Sequence, residues 1–411
     1  MRPNCMDLFA GCGGLSLGLH AAGFQCVLAI EAHADAFETY RTNLIDTGLV
    51  GDGWPEWLDI GPCDVVRLAQ DHRQQLVGLR GEVDLVAGGP PCQGFTMNGR
   101  RDPDDPRSRM VSAYLDVVEH VRPRLVLLEN VPGFVSMKAA GGDTYAEVVR
   151  RRLGELGYEV WADVLMASDW GVPQRRPRYI CVAATRGSLP GIHPFERLRT
   201  ERRGFLGARG LWPGPTTVRD ALSDFELDGR EPEPDPEWGS HGFTAVERHS
   251  GTGASAYQRL MRHGSAGQPN DRRLARHSPA IVARLHQILA TCRKGASLRP
   301  ADRERLGMGK RCVTPLDPQS TAPTVTTLPD DFVHYSEPRT MSVREHARLQ
   351  SFPDWFSFCG PYTAGSIRRK YACPRYTQVG NAVPPLLAEA IGESLLGLLA
   401  DQECPQLARV A

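Results

Sequence analysis

Short apolar runs alternate with amphipathic stretches over the first 185 residues. The runs Met6–Phe9, Cys26–Ile30, Val83–Ala87, Leu125–Leu128 and Tyr179–Ala183 have strand length and few charges, so they predict strands. Between them, Met110, Val111, Tyr114, Val117, Val118 and Val121 recur at helical spacing and predict a helix with one apolar face. This alternation predicts an α/β architecture, a doubly wound and mostly parallel sheet. In such a sheet the cleft lies at the carboxyl ends of the strands.

The pattern fades after residue 186. The stretch "DFELDGREPEPDPEWG" is acidic and rich in proline, and reads as an exposed connector. Residues 250 to 311 are rich in Arg, Gly and His, with one apolar helix around Ile281–Leu289. Regularity returns at "SVREHARLQSFP", where Ser342 and Glu345 have capping-box spacing and predict a helix start. A last helix follows Pro384–Pro385 and carries Leu387, Ile391 and Leu395 on one face.

A chain of 411 residues with 41% hydrophobic content can bury a full core and form two structural units. The sequence reads as having no apolar run of membrane-spanning length and no charged-then-apolar opening, so a cytoplasmic location is expected. Eleven cysteines are scattered without a C-x-x-C pair, which argues for reduced thiols and against a metal site. Formal net charge is zero, so bulk charge does not advertise a nucleic-acid partner. The cations are unusual in kind: of 48, only Lys138, Lys294, Lys310 and Lys370 are lysines, leaving 44 arginines. Arginine suits phosphate and base-edge contacts, although a codon bias would enrich it equally well.

The first chemical motif is "DLFAGCGGLSLGL", a strand leading into a glycine turn and a helix. Gly11 and Gly13 fit a dinucleotide fingerprint, but Ser16 stands at its third glycine position and the P-loop Gly-Lys-Ser/Thr is absent. A glycine turn without a phosphate requirement fits a nucleoside cofactor such as S-adenosylmethionine. Glu31 ends the next strand, where a carboxylate can accept both ribose hydroxyls.

The second is "GGPPCQGF". Cys92 sits just past the strand Val83–Ala87, after Pro90 and Pro91, which stop the strand and stiffen the approach. Gly94 frees the exit. That setting favours a nucleophile over an inert buried thiol. In "LVLLENVPGF" a strand ends at Glu129 and Asn130 on the same sheet edge. A carboxyl there is near Cys92 and partly desolvated, and could donate a proton; a helix cap or turn is the blander use. "PQRRPRYICVA" puts Gln174, Arg176 and Arg178 before another strand, with alternation placing both arginines on one side. A solvated basic edge would read the same way.

In this order these segments resemble the cytosine-5 DNA methyltransferases, from "DLFAGCGG" through "GGPPCQGF", "ENVPGF" and "QRRPRY" to "SVREHARLQSFP" and "QVGNAVPP". The resemblance covers residues 1–185 and about 320–400. It implies the fold of the S-adenosylmethionine-dependent methyltransferases with a smaller, irregular target-recognition domain. It also implies a chemistry. A Cys92 thiolate adds to C6 of cytosine, Glu129 holds the N3/N4 edge and protonates N3, and Arg178, with Arg176, holds the base O2 and a neighbouring phosphate. The base must leave the double helix to be reached. For the cofactor the resemblance implies Phe9 against adenine, Gly11 and Gly13 at the turn, Glu31 at the ribose, Pro91, and Asn381 and Val383 from the last motif. "LDIGPCDVVRL" offers Asp59–Ile60 or Asp64–Val65 as the third cofactor motif; the spacing to Leu68 favours Asp64 and Val65. Gln93 and Thr326 are the implied DNA contacts, the latter within "TAPTVTTLPDD", where a polar β-rich loop is the equal alternative.

The expected organisation is a catalytic and cofactor-binding domain at 1–185, a target-recognition domain at 186–374, and a segment at 375–400 that completes the catalytic domain. The expected partner is double-stranded DNA, with a restriction endonuclease as functional counterpart. A transfer-RNA methyltransferase of the same superfamily would share the motifs, but the long middle segment favours sequence-specific duplex reading. A silent DNA-binding module would not need every catalytic position intact, and a cysteine hydrolase would need a histidine in the motif segments beside Cys92, where none lies.

Overall fold

The computed structural model describes residues 2–91, 106–139, 142–189, 191–237, 242–249, 253–310, 312–363 and 371–403. It separates into two compact units. The first comprises Met1–Met166, Pro177–Arg203 and Pro385–Ala411; the second comprises Ala167–Arg176 and Gly204–Pro384.

The first unit is built on a six-stranded sheet: β1 Asn4–Leu8, β2 Gln25–Ile30, β3 Leu85–Gly88, β4 Leu125–Asn130, β5 Tyr158–Met166 and β6 Pro177–Thr185. Its order is β2-β1-β3-β4-β6-β5. The first four strands run parallel, and β6 is antiparallel to both β4 and β5. The continuous apolar runs of β3 and β4 are fully buried, as expected of central parallel strands covered on both faces. Tyr114, Val117, Val118 and Val121 of the helix Pro106–Val121 are buried in the same core cluster as Met6, Leu8, Leu28, Val86 and Val126.

Strand β5 is the one the apolar pattern does not predict. Glu159 and Asp163 interrupt it, and most of its side chains are only partly buried, because it is an edge strand held by main-chain pairing with β6 alone. The C-terminal helix Pro385–Glu403 also belongs to this unit, with Leu387, Ile391 and Leu395 buried as the spacing predicts. It packs against the helix Gly14–Ala22. The approach is close enough that a Cβ on Gly18 would lie 2.4 Å from the Ala388 Cβ and 2.5 Å from the Pro385 carbonyl oxygen. The expectation that no stretch has membrane-spanning character is corrected here. The helices Arg375–Asn381 and Pro385–Glu403, taken with the three residues between them, have the necessary length and apolarity, but the stretch is mostly buried, as core helices are.

The second unit is irregular. Its strands are pairs of two residues, Glu233–Pro234 with Thr244–Ala245 and Thr314–Pro315 with Phe332–Val333. Its helices include Val218–Leu222, Ala256–Arg262, Pro279–Thr291 and Val343–Leu349. The last begins with the predicted capping box. Ser342 Oγ accepts from the Glu345 N–H at 3.2 Å, and Glu345 Oε2 accepts from the Ser342 N–H at 2.7 Å.

Buried ion pairs hold this unit together, and they revise two readings. The acidic stretch from Asp224 is exposed at Asp228–Glu231 and at Pro236 and Glu237, as a connector is, but it is anchored by buried Asp224, Phe225 and Asp235. Asp224 receives Arg262 at 2.7 Å and Arg348 at 3.1 Å. Nor are the arginines spent only on a surface. Arg348 is fully buried, donating to both oxygens of Asp354, to Asp224 and to the Ala221 carbonyl. Arg339 grips Glu345 with two parallel hydrogen bonds at 2.8 and 2.9 Å. Burial alone would push the Glu345 carboxyl up, but the charge and hydrogen bonds of Arg339 bring it down to about 2. The planar guanidinium fork suits such bidentate pairing better than a lysine. Arg348→Ala would remove the buried donor shared by Asp354 and Asp224 and leave each with one arginine, Arg248 and Arg262, so stability should fall by about 2–3 kcal/mol. Denaturant unfolding of the full chain checks this, and an unchanged midpoint would contradict it.

Candidate active site

Strand β1 lies between β2 and β3, so the chain leaves it in opposite directions and opens a crevice at the carboxyl ends of β1 and β3. Several predicted residues of the first unit collect around this edge. After β1 the main chain turns through left-handed conformations at Phe9 (φ 62°), Gly11 (φ 57°) and Gly13 (φ 99°). A left-handed phenylalanine is strained by about 1–3 kcal/mol, and such strain concentrates at functional turns. A Cβ on Gly13 would lie 2.6 Å from Leu44 Cδ1, whereas one on Gly11 would meet nothing within 4 Å. Gly13 is therefore required by packing, and Gly11 leaves space beside the turn.

Glu31 follows β2 and is half-buried. Its Oε2 accepts from the Gly11 N–H at 2.9 Å and its Oε1 from the His33 N–H at 2.7 Å. Burial raises the carboxyl above its ordinary range, while these N–H donors pull it back. Each oxygen retains lone-pair capacity for a further donor. The Glu31 carbonyl accepts from the Cys63 N–H at 2.8 Å, which brings the third-motif segment alongside. There Asp64 caps the helix Val65–Asp71, its Oδ1 accepting from the Val66 and Arg67 N–H groups, while Asp59 and Ile60 are exposed.

Strand β3 ends beside this turn, with the Gly89 N–H donating to the Leu8 carbonyl at 3.3 Å. A Cβ on Gly88 would lie 2.5 Å from that same carbonyl oxygen, and one on Gly89 would lie 3.0 Å from Glu129 Oε2. The two glycines thus let β3 pass tightly between β1 and the end of β4. Asn130 Nδ2 donates to the Pro90 carbonyl at 3.0 Å, and Asn130 Oδ1 accepts from the Val131 N–H at 2.9 Å. Pro91 is exposed; Cys92 and Gln93 lie outside the described residues. At the end of β4, Glu129 Oε1 pairs with Arg178 Nε at 2.7 Å, both side chains nearly buried. Arg178 also donates to the Pro177 carbonyl at 2.8 Å. The carboxylate is therefore held in one orientation beside the Gly89–Pro90 main chain.

The other predicted residues belong to the second unit. Arg176 does not share a strand face with Arg178, because β6 starts at Pro177 and the preceding chain joins the other unit. The residue is 1% exposed, and its guanidinium donates to the carbonyls of Val325, Gly380 and Ala382, an anchoring to main chain. Gln174 is fully buried beside it. Thr326 Oγ1 donates to Asp331 Oδ2 within its own loop. Asn381 is exposed and Val383 half-buried, just after the helix Arg375–Asn381.

One residue of the first site escaped the sequence reading, and Ser16, noted there only as a departure from the fingerprint, is its partner. Asp7 is fully buried, and Ser16 Oγ donates to its Oδ2 at 2.6 Å. Burial pushes the Asp7 carboxyl well above the ordinary range. Ser16 thus fills the place of the missing third glycine with a hydrogen bond to β1. An aspartate inside the apolar run "CMDLF" was the available signal.

The C-5 cytosine-specific DNA methylase family matches residues 3–397. The chain belongs to that family. Relatives include the Type II methyltransferase M.AgeI of Thalassovita gelatinovora, 32% identical with 95% of this chain and 98% of that protein covered. Another is M.DdeI of Desulfomicrobium norvegicum, 30% identical with 95% and 88% covered. Among solved structures, one assigned as a prophage-encoded DNA modification methyltransferase of E. coli superposes with a TM-score of 0.67 at 24% identity, covering 97% of this chain and 99% of that one. The S. pombe Dnmt2 methyltransferase shares the fold at a TM-score of 0.56 and 18% identity, with 98% and 100% covered. The mostly parallel sheet described above is the methyltransferase fold of this family.

The site residues of a cytosine-5 methylase must accommodate S-adenosylmethionine, and the crevice fits it. The turn at residues 9–14 contains no Lys or Arg, as suits a nucleoside rather than a diphosphate. Open space beside Gly11 and the anchored Glu31 carboxylate suit a ribose edge. The start of the helix Gly14–Ala22 has no side-chain cap, and the positive end of its dipole suits the carboxylate of an amino-acid moiety. Glu31→Ala should weaken S-adenosylmethionine binding by tens of fold, from the loss of about 2–3 kcal/mol of charge-assisted hydrogen bonding. Titration calorimetry would contradict the assignment by returning the wild-type affinity.

Proposed function

We propose that this DNA cytosine-5 methylase transfers a methyl group from S-adenosylmethionine to C5 of a flipped-out cytosine within a specific double-stranded sequence, through a covalent Cys92–C6 intermediate. The observation that carries the reading is the buried Glu129–Arg178 pair beside Gly89 and Pro90, two residues short of Cys92. Carbon 5 of cytosine is a weak nucleophile. Addition of the Cys92 thiolate to C6 pushes electrons toward N3, and Glu129 supplies a proton there, so charge does not accumulate on the ring. Arg178 keeps the Glu129 carboxyl oriented and directs its own N–H groups to the base O2. The resulting enamine is nucleophilic at C5. S-adenosylmethionine, when bound, supplies an electrophilic methyl group on a positively charged sulfur. Once C5 carries the methyl group, a base removes the C5 proton, the C5–C6 double bond re-forms and the Cys92 thiolate leaves. Phe9, Gly11, Gly13, Glu31, Asp64, Val65, Pro91, Asn381 and Val383 hold the methyl donor in this reading.

Residues 186–374 carry the reading of DNA sequence. The catalytic residues recognise one extruded base and cannot distinguish its neighbours, so specificity needs base-edge contacts from a further module. The Type II relatives support a role in restriction–modification, in which methylation protects DNA from a partner endonuclease.

The test is to expose plasmid DNA and, separately, transfer RNA to the protein and methyl donor, then sequence both after bisulfite treatment. Conversion-resistant cytosine at one recurrent duplex sequence is expected. Modification of the RNA alone would replace this reading with an RNA methyltransferase. Exchanging the middle segment for that of a relative of different specificity should move methylation to the relative's site. An active chimera still faithful to the original site would place recognition elsewhere.

A further inference from the structure

Gln174, Arg176 and Gln350 form one buried hydrogen-bonded cluster in the second unit, at 0%, 1% and 0% exposure. Gln174 Nε2 donates to Gln350 Oε1 at 2.8 Å and to the Leu349 carbonyl at 3.0 Å, while its Oε1 accepts from the Val325 N–H at 2.6 Å. Arg176 Nη1 donates to the Val325 carbonyl at 3.1 Å. Its Nη2 donates to the carbonyls of Gly380 at 2.6 Å and Ala382 at 3.1 Å. Gln350 Nε2 donates to the carbonyls of Val379 at 2.7 Å and Ala382 at 3.3 Å.

Three of these acceptors, the carbonyls of Val379, Gly380 and Ala382, lie at one helix end. The helix Arg375–Asn381 stops where Pro384 and Pro385 forbid its continuation, and its last carbonyls have no partner within the helix. Gly380 is one of them, and the Val379 carbonyl has only a long bond, 3.3 Å, from the Ala382 N–H that caps the helix. Side-chain donors cap such ends, and a cation there also favours the negative end of the helix dipole. Gly380 completes the arrangement: a Cβ would lie 2.4 Å from the Thr326 carbonyl oxygen, so the segment can seat on the Val325–Thr327 chain only as glycine. The same three side chains therefore fix two neighbouring main-chain segments, 325–327 and 379–382.

We propose that Gln174, Arg176 and Gln350 are positioning residues, which cap this helix end and thereby hold the main chain that carries Asn381 and Val383 for the methyl donor. The inference rests on the assignment of Asn381 and Val383 to S-adenosylmethionine. It gives Arg176 a task distinct from that of Arg178. Arg178 faces the reacting base through Glu129, whereas Arg176 acts on the donor through carbonyl groups.

The experiment uses the full chain with Arg176→Lys and Gln350→Met, which keep approximate volume but lose the fork or the amide. Calorimetry gives S-adenosylmethionine affinity, anisotropy gives affinity for duplex DNA carrying the target, and steady-state assays separate KM for the donor from kcat. Both variants should weaken donor binding about tenfold or more and raise its KM, with DNA affinity unchanged. Gln350 is fully buried, so an effect of Gln350→Met cannot arise from a lost DNA contact. Adding Asn381→Ala to Gln350→Met should cost less than the sum of the two single effects, as coupled residues do and independent structural damage does not. Wild-type donor affinity in a folded Gln350→Met, or a loss of DNA affinity alone in Arg176→Lys, would overturn the proposal. Additive losses in the double variant would do the same. Wild-type protein unable to bind S-adenosylmethionine would instead overturn the reading of function itself, and this inference with it.

Discussion

Replacing Cys92 by alanine should abolish methylation, with a fall on the order of 10⁴-fold or more, while S-adenosylmethionine binding persists. The nucleophile makes the enamine from which the methyl acceptor arises, and an alanine methyl group cannot add to C6. A duplex with 5-fluorocytosine at the target has no C5 proton to lose, so after methyl transfer the wild-type enzyme should stay attached. A denaturant-resistant protein–DNA adduct is the expected signal from wild type, and none is expected from Cys92→Ala. An adduct of equal abundance from the variant would show that another group attacks C6.

Glu129→Gln should leave the shape of the site nearly unchanged and still lower kcat by about 10²–10⁴-fold. The amide oxygen can accept from Arg178 as the carboxylate does now at 2.7 Å, but it cannot deliver a proton to N3. Binding of the methyl donor should not move, since Glu129 lies at the end of β4 while the Glu31 contacts lie at β2. Single-turnover methylation of the target duplex checks this. A rate within a few fold of wild type would remove Glu129 from the proton-transfer step.

The strands that carry chemistry were legible because each is a short, nearly uncharged apolar run broken near its carboxyl end by polar, glycine or proline residues. Leu125–Leu128 ends at Glu129, and Val83–Ala87 runs into Gly88, Gly89, Pro90 and Pro91. Such interruptions are local, so composition alone exposes them. Edge strand β5 was not legible, because its stability comes from pairing with β6 and its side chains need not be apolar. The acidic segment from Asp224 is exposed over Asp228–Glu231, as read, but its buried start misled for a related reason. Charges predict solvent unless a partner is known, and its partners Arg262 and Arg348 lie far along the chain.

Arg176 and Arg178 divide the two kinds of information most clearly. Two residues apart in "QRRPRY", they look equivalent to any local rule. Their partners decide otherwise: Glu129, 49 positions before Arg178, and Gly380, 204 positions after Arg176. The sequence by itself determined the α/β pattern, the capped helix at Ser342, the glycine turn and the reactive ends of the strands, because local sterics and apolar spacing dictate these. Only the tertiary structure decided which buried charge meets which carbonyl or carboxylate. A guanidinium can satisfy its five donors on any acceptor brought to it, and the folded chain alone selects which acceptors arrive.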